Sequence, residues 1–318
     1  MSNKWKIFWC VSLALVVFFQ ACGMHSWEEL VVSTTDEKKM GREFDSLVRD
    51  KNPDVVDPKT EELFSPSTDA EKELYAFYLA RGKEIVNAID KKDFDAILTN
   101  EKLCRNDPNN RTERVACNKD NFFEFKIIKS KQLNAFAVPG GYVYFYTAIL
   151  KNFQSESELM GVLGHEVGHV VLHHSRDAIV KQVGASAIIS LLLGEGMGAT
   201  LASLGASFWL LGNSRENESE ADVKGFEYTN KIGISSRGLG AFFCRGLKSC
   251  DANAEELGCN SKEEGSFLDV FSTHPPSCER VNNNTKRMKD ANQNFPQNKS
   301  NSPSGKTFTE LVKAVAGI

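Results

Sequence analysis

The stretch Glu158–Asp177, ELMGVLGHEVGHVVLHHSRD, carries four of the chain's six histidines: His165, His169, His173 and His174. Ser155 stands three residues before Glu158, a capping-box arrangement, just ahead of an apolar run. That pattern predicts a helix over about residues 156–174 with the histidines in its second half. On such a helix, residues four apart lie about 40° apart and one turn along. His165 and His169 therefore point the same way, and Glu166 between them completes a His-Glu-x-x-His pentapeptide. Two imidazoles at that spacing can reach one divalent ion, and the carboxylate beside them can take a proton from a water held there. His173 is eight residues from His165, about 12 Å along a straight helix, too far to share the ion. The longer H-E-x-x-H-x-x-G-x-x-H pattern is absent, with Leu172 and Ser175 at its Gly and His positions. His173 and His174 are thus bystanders or supports of the ligand histidines.

A third ligand is expected from the acidic run RENESEAD, which offers Glu216, Glu218, Glu220 and Asp222. Glu218 and Asp222 are four apart and share a helix face, so one can bind the ion while the other orients a ligand histidine. Glu220 lies about 200° around from Glu218 and is expected to face solvent. An acidic run with nothing else beside it is usually just a solvated face.

Around this centre the chain reads as mainly α with a small β-sheet, an α+β domain. Residues 69–99 have apolar residues at helical spacing and predict one or two helices. FFEFKIIKS (122–130) alternates as a strand, and NAFAVPGGYVYFYTAIL (134–150) reads as two strands around a Pro139–Gly141 turn. Val183–Leu211 is apolar, but Glu195 and its glycines favour a buried helical hairpin over a membrane span. Residues 22–68 read as a tether and loosely ordered arm, 69–290 as the folded domain, and 291–318 as a low-complexity, largely disordered tail with a short terminal helix.

The 318 residues are 41% apolar and 25% charged with a net charge of −4, which suits a globular protein and argues against a nucleic-acid partner. Two lysines precede the apolar run Ile7–Phe19, which is short for a bilayer span and suits an export signal, residues 1–21. FFQAC then resembles the lipobox of bacterial lipoproteins, with Cys22 as the lipidated residue. Of the six later cysteines, Cys104 and Cys117 flank one polar loop and are expected to pair. Cys244, Cys250, Cys259 and Cys278 are expected to pair among themselves.

NAFAVPGG, HEVGHVVLHHS, SRENESEAD and STHPPSCER, in that order, resemble the four marks of the HtpX and CAAX-prenyl-protease family of zinc metallopeptidases, most of all its exported periplasmic lipoprotein members. The resemblance covers roughly residues 70–290. It implies a gluzincin-type metalloendopeptidase domain with an active-site helix, a cleft-edge strand and one Zn²⁺ per chain. His165, His169 and Glu218 become the ligands, Glu166 the base, and Asp222 the residue orienting a ligand. The strand bearing Tyr142, Val143, Tyr144 and Phe145 would border the cleft, with extended peptides adding to its edge. His274, and less directly Arg280, are candidates to stabilise the charged intermediate. His274 can alternatively pack before the prolines, or take the open zinc position and hold the enzyme inactive. The implied activity is hydrolysis of unfolded or misassembled polypeptides at the periplasmic face of the outer membrane, held by a lipid anchor. The alternatives are a lipid-anchored assembly chaperone that seldom cleaves, and an integral prenyl-protein protease, which would need several spans. The four later cysteines and the insert DANAEELGCNSKEEG depart from the family pattern.

Overall fold

The computed structural model describes residues 32–53, 55–97, 103–105, 114–116, 119–183, 213–259 and 274–315. Helix α1, Thr34–Arg49, opens on a Ser33–Asp36 capping box. Its apolar stripe Met40, Phe44 and Val48 is buried against Phe136, Tyr144 and Val138 of the sheet. This corrects the expectation of a loose arm over 22–68 for its described part, from residue 32 onward. Polar composition hid an i, i+4, i+8 stripe that pays for ordering the segment. Strand β1, Glu62–Leu63, follows. The segment 69–99 gives two helices, as its spacing predicts: α2, Asp69–Ala88, capped by Thr68 and Glu71, and α3, Lys91–Ile97.

Strands β2, Leu103–Arg105, and β3, Arg114–Ala116, form a separate antiparallel pair. Cys117 lies outside the described residues, and so does its pairing with Cys104. After the short α4, Lys119–Phe122, come β4, Glu124–Lys129, β5, Ala135–Val138, and β6, Tyr142–Tyr146. The main sheet runs β1-β4-β6-β5. β4 and β6 are parallel, while β5 and β6 form the expected antiparallel hairpin. Gly140 and Gly141 turn it at φ +80° and +90°; a Cβ on either would meet backbone carbonyl oxygens of Glu37 or Phe122 at 2.6 and 2.5 Å. Only glycine fits there.

The topology corrects the placement of the cleft-edge strand. β6 is interior, paired on both sides, and all five of its residues are buried. The edge belongs to β5. An aromatic, β-branched run is what a fully buried central strand looks like, and hydropathy alone cannot tell it from an edge beside a cleft.

Helix α5, Thr147–Asn152, leads to α6, Glu156–Val171, every residue of which is buried. Ser155 caps it by accepting the Glu158 N–H, but Glu158 reaches back to the N–H of Gln154 rather than that of Ser155. The helix stops sooner than predicted. Leu172 is its C-cap, and His173, at φ +56°, breaks the chain before α7, His174–Val183. His173 Nδ1 is 2.7 Å from Oε1 of buried Glu37 on α1. That tertiary contact holds a strained conformation that no local glycine announces. Most of the proposed helical hairpin over 183–211 lies outside the described residues.

Helix α8, Arg215–Ile232, crosses α6 with backbones touching. A Cβ on Gly164 would stand 3.0 Å from Gly225 Cα, and one on Gly225 only 3.1 Å from the His165 nitrogen. This glycine crossing lets the acidic face of α8 approach the histidines. Helices α9, Arg237–Cys244, α10, Cys278–Asp290, and α11, Phe308–Ala314, complete the set among the described residues. Disulfides join Cys244 to Cys250 and Cys259 to Cys278, pairing the last four cysteines among themselves as expected. The tail past residue 290 is not loose. Lys299 and Ser300 donate backbone N–H groups to buried Glu156, and Phe308 stacks on Phe77 in the core. Among the described residues, no helix is long and apolar enough to cross a membrane.

Candidate active site

His165 and His169 project from the second half of α6, and their Nε2 atoms face each other at 3.0 Å. Glu218, in the first turn of α8, bridges them: its Oε2 is 3.4 Å from His165 Nε2 and its Oε1 is 3.4 Å from His169 Nε2. An ion with four tetrahedral bonds of about 2.0–2.1 Å spaces its ligand atoms about 3.3 Å apart. The three side chains meet that requirement. His274 supplies a fourth donor, its Nδ1 lying 3.2 Å from His165 Nε2 and 2.9 Å from Glu218 Oε1. Ligand atoms of all four lie within 4.8 Å of one another, and all four residues are buried.

Charge gives the same answer. Glu166, Glu218 and Asp222 are buried carboxylates at 1–2% exposure, with Arg280 as the buried guanidinium among them. Ionised, they carry two negative charges more than Arg280 neutralises, of which a proton on His165 offsets one, and buried charges are expensive without a partner. A divalent cation is the complement this group lacks. Burial keeps His169 far below the ordinary imidazole range, and so neutral and able to ligate. Burial also works against a charge on His165, but Glu218 and Asp222 outweigh it and push its pKa up to about 9.

The carboxylates around the histidines divide their work. Asp222 Oδ1 lies 2.9 Å from His165 Nδ1, on the side of the ring away from the donor cluster. Arg280 then clamps the acids from behind. Its Nε and Nη2 donate to Asp222 at 2.8 and 2.6 Å, and its Nη1 is 2.8 Å from Glu218 Oε2. Its guanidinium also lies over the Phe243 ring at 3.9 Å. Burial resists ionisation of Asp222, yet Arg280 holds its pKa down at about 2. Glu218, opposed by the same burial, is held well below the usual carboxylate range by His274 and Arg280. The expectation that Arg280 stabilises the charged intermediate is therefore corrected: its donors are committed to Asp222, Glu218 and the Pro275 carbonyl.

Glu166 is different. Among the described residues, neither of its oxygens has a hydrogen-bond partner. His274 Nε2 lies 3.3 Å from its Oε1. Burial raises the Glu166 carboxyl above the ordinary range. Beside it opens a small cavity lined by Ala135, Ile149, Val162, Phe242 and Phe243.

Tyr142, Val143, Tyr144 and Phe145 do not reach this cavity; its sheet wall is Asn134 and Ala135. Of the two roles left open for His174, bystander or support, the structure gives it the second, behind His169. His174 Nδ1 is 2.7 Å from His169 Nδ1, and its Nε2 is 3.2 Å from Glu220 Oε2. Glu220 does point away from Glu218 and is half exposed, but it is not merely solvated. The break at His173 carries His174 across to meet it, a displacement that a straight-helix projection cannot contain.

A helix-borne His-Glu-x-x-His, completed by a glutamate from a second helix, defines the site of a metallopeptidase of the two-histidine, one-glutamate kind. The sequence profile of Peptidase family M48 matches residues 109–288, more than half of the chain. The chain belongs to that family. It is 33% identical over 171 residues to Metalloprotease YcaL of Escherichia coli (strain K12), covering 49% of this chain and 59% of that protein. A putative beta-barrel assembly-enhancing protease of Vibrio cholerae is 31% identical over 179 residues, 52% of this chain and 35% of that protein. Metalloprotease LoiP of Escherichia coli (strain K12) is 28% identical over 170 residues, 52% of this chain and 62% of that protein. The chain thus spans 35% to 62% of the length of these relatives.

Proposed function

We propose that the chain is a zinc-dependent endopeptidase of the cell envelope that hydrolyses unfolded or misassembled polypeptides. The observation that carries this reading is Glu166: a buried carboxylate with no hydrogen bond, beside a two-histidine, one-glutamate donor set. His165, His169 and Glu218 would hold the ion. Bound there, it lowers the pKa of a water toward about 7 and polarises the scissile carbonyl. Glu166 accepts the proton of the attacking water on its carboxylate and passes it to the leaving amine. Asp222 holds His165 in the tautomer that leaves Nε2 free, and Arg280 keeps Asp222 and Glu218 ionised. The names of the similar proteins, two of them metalloproteases and one a beta-barrel assembly-enhancing protease, support an envelope role. Anchoring through lipidated Cys22 is part of the proposal and lies outside the described residues.

Removing the metal tests the core of it. Chelator-treated protein and Glu218→Gln are expected to lose cleavage of unfolded casein. Metal analysis should find about one zinc per wild-type chain and far less in the variant. Full casein cleavage by metal-free protein would sink the reading.

Peptide capture falls to β5. The Tyr146 N–H donates to Asn134 O, so in the antiparallel register the next residue, Ala135, turns its N–H and C=O away from β6. That is toward the cavity side, where an extended substrate can pair. Ala135→Pro removes the outward donor without touching the ladder, and is expected to lower kcat/KM about tenfold at unchanged melting temperature. Unchanged cleavage would count against strand pairing.

His274 has two readings: a partner for the charged intermediate, or a fourth ligand that holds the site shut. Its Nδ1 at 3.2 and 2.9 Å from two other donor atoms favours the second in the closed conformer described. His274→Ala is then expected to raise kcat/KM by about tenfold or more, as a minor open state becomes dominant. A fall in rate would instead support the first reading.

A further inference from the structure

An imidazole that binds a metal through one nitrogen must carry its proton on the other, and a partner that accepts this proton fixes both tautomer and ring orientation. For His165 the partner is Asp222. The corresponding place behind His169 holds another imidazole. His169 Nδ1 and His174 Nδ1 are 2.7 Å apart, close enough that one donates and the other accepts. Their roles are not free. His169 Nε2 faces His165 and Glu218 in the donor cluster, so its lone pair is needed there and its proton sits on Nδ1. His174 must therefore accept at Nδ1 and carry its own proton on Nε2. Glu220 Oε2, which as a carboxylate oxygen can only accept, stands 3.2 Å from that nitrogen. Every proton in the chain of contacts then has one direction, from His169 through His174 to Glu220.

We propose that His174 and Glu220 are positioning residues for His169, a two-residue relay that fixes the ligand's tautomer and raises the site's affinity for its metal. The inference rests on the metal site proposed above and adds residues that site does not require. Using a neutral imidazole, not a second aspartate, has a physical reason. Behind His165 a buried carboxylate is tolerable because Arg280 neutralises it. A further carboxylate at the His174 position would add to the uncompensated charge of the buried acids. The relay moves the negative end outward, to a Glu220 side chain that is 54% exposed, while His174 is only 5% exposed. Water screens the outer charge, and the tautomer control is kept. The break at His173 serves the same end. Without the turn at φ +56°, His174 would continue the helix and miss both partners.

The test is zinc affinity of the full chain, measured by competition with a chromophoric chelator. His174→Ala is expected to weaken zinc binding about 10–100-fold, with the melting temperature of the metal-free protein unchanged. His174→Gln, whose amide oxygen accepts the same proton, is expected to recover part of the loss. Wild-type affinity in His174→Ala overturns the relay alone, whereas a wild-type chain that holds no zinc overturns the metal site and the relay together. Should His174→Ala not fold, nitrogen-15 histidine spectra of wild-type zinc protein decide. Protonation of His169 at Nδ1 and of His174 at Nε2 supports the relay, and the opposite tautomer on either ring overturns it.

Discussion

Glu166→Gln is expected to keep its zinc and lose its hydrolysis, with kcat falling about 10²–10⁴-fold. The side chain is 1% exposed, and neither oxygen is hydrogen-bonded among the described residues. A structural role for such a carboxylate would have only its 3.3 Å approach to His274 to rest on. Burial raises its carboxyl above the ordinary range, toward the pH at which a base both holds and releases a proton well. Glutamine keeps the shape and removes the proton affinity. Because no hydrogen bond is lost and a buried charge disappears, the variant's melting temperature should equal or exceed that of wild type. Casein cleavage, metal content and complementation in cells separate the possibilities. If the variant loses cleavage yet complements fully, the protein works mainly as an assembly chaperone. If it loses both, proteolysis is the cellular function. A fall in kcat below tenfold would remove Glu166 from the base role.

The second large effect belongs to a residue that touches no substrate. Arg280→Met should cost about 3–5 kcal/mol of stability in the metal-free protein, the range for breaking a buried ion pair from one side. Arg280 donates to both oxygens of Asp222 and lies 2.8 Å from Glu218, so its loss strands two buried carboxylates together. Zinc should return part of the stability, since it binds the folded state and meets Glu218 directly. Urea unfolding with chelator, and again with zinc, reads both effects. Arg280→Lys should fall between, because a single ammonium cannot reproduce the forked contacts to two acids. A methionine variant as stable as wild type in chelator would show that Arg280 is not the clamp described.

Much of the site was legible because it obeys one period. His165 and His169, and likewise Glu218 and Asp222, are i, i+4 pairs on capped helices, and helical geometry places each pair on one face. What escaped was set by contacts between segments. The edge strand was assigned to Tyr142–Tyr146, but the parallel pairing of β4 with β6 buries it, and no feature of its own residues reports a neighbour so placed. A supporting role for His174 was open from the sequence, but its partners His169 and Glu220 were not legible, because His173 bends the chain under the pull of Glu37, which lies 136 residues earlier. The arm and the tail were misjudged for a compositional reason. Both are polar on average, and both spend a few apolar residues, Phe44 and Phe308 among them, at fully buried points.

The tail has a practical consequence for anyone trimming the protein. Glu156 opens the active-site helix from a position only 1% exposed, and its carboxylate is met by Arg81 and by backbone N–H groups of residues 299 and 300. Its own N–H donates to the side chain of Asn298. A recombinant fragment ended at residue 290 on grounds of composition would unfasten the catalytic helix at its first turn and uncover Phe77 and Phe153, against which Phe308 rests. The smallest unit worth purifying runs through the terminal helix.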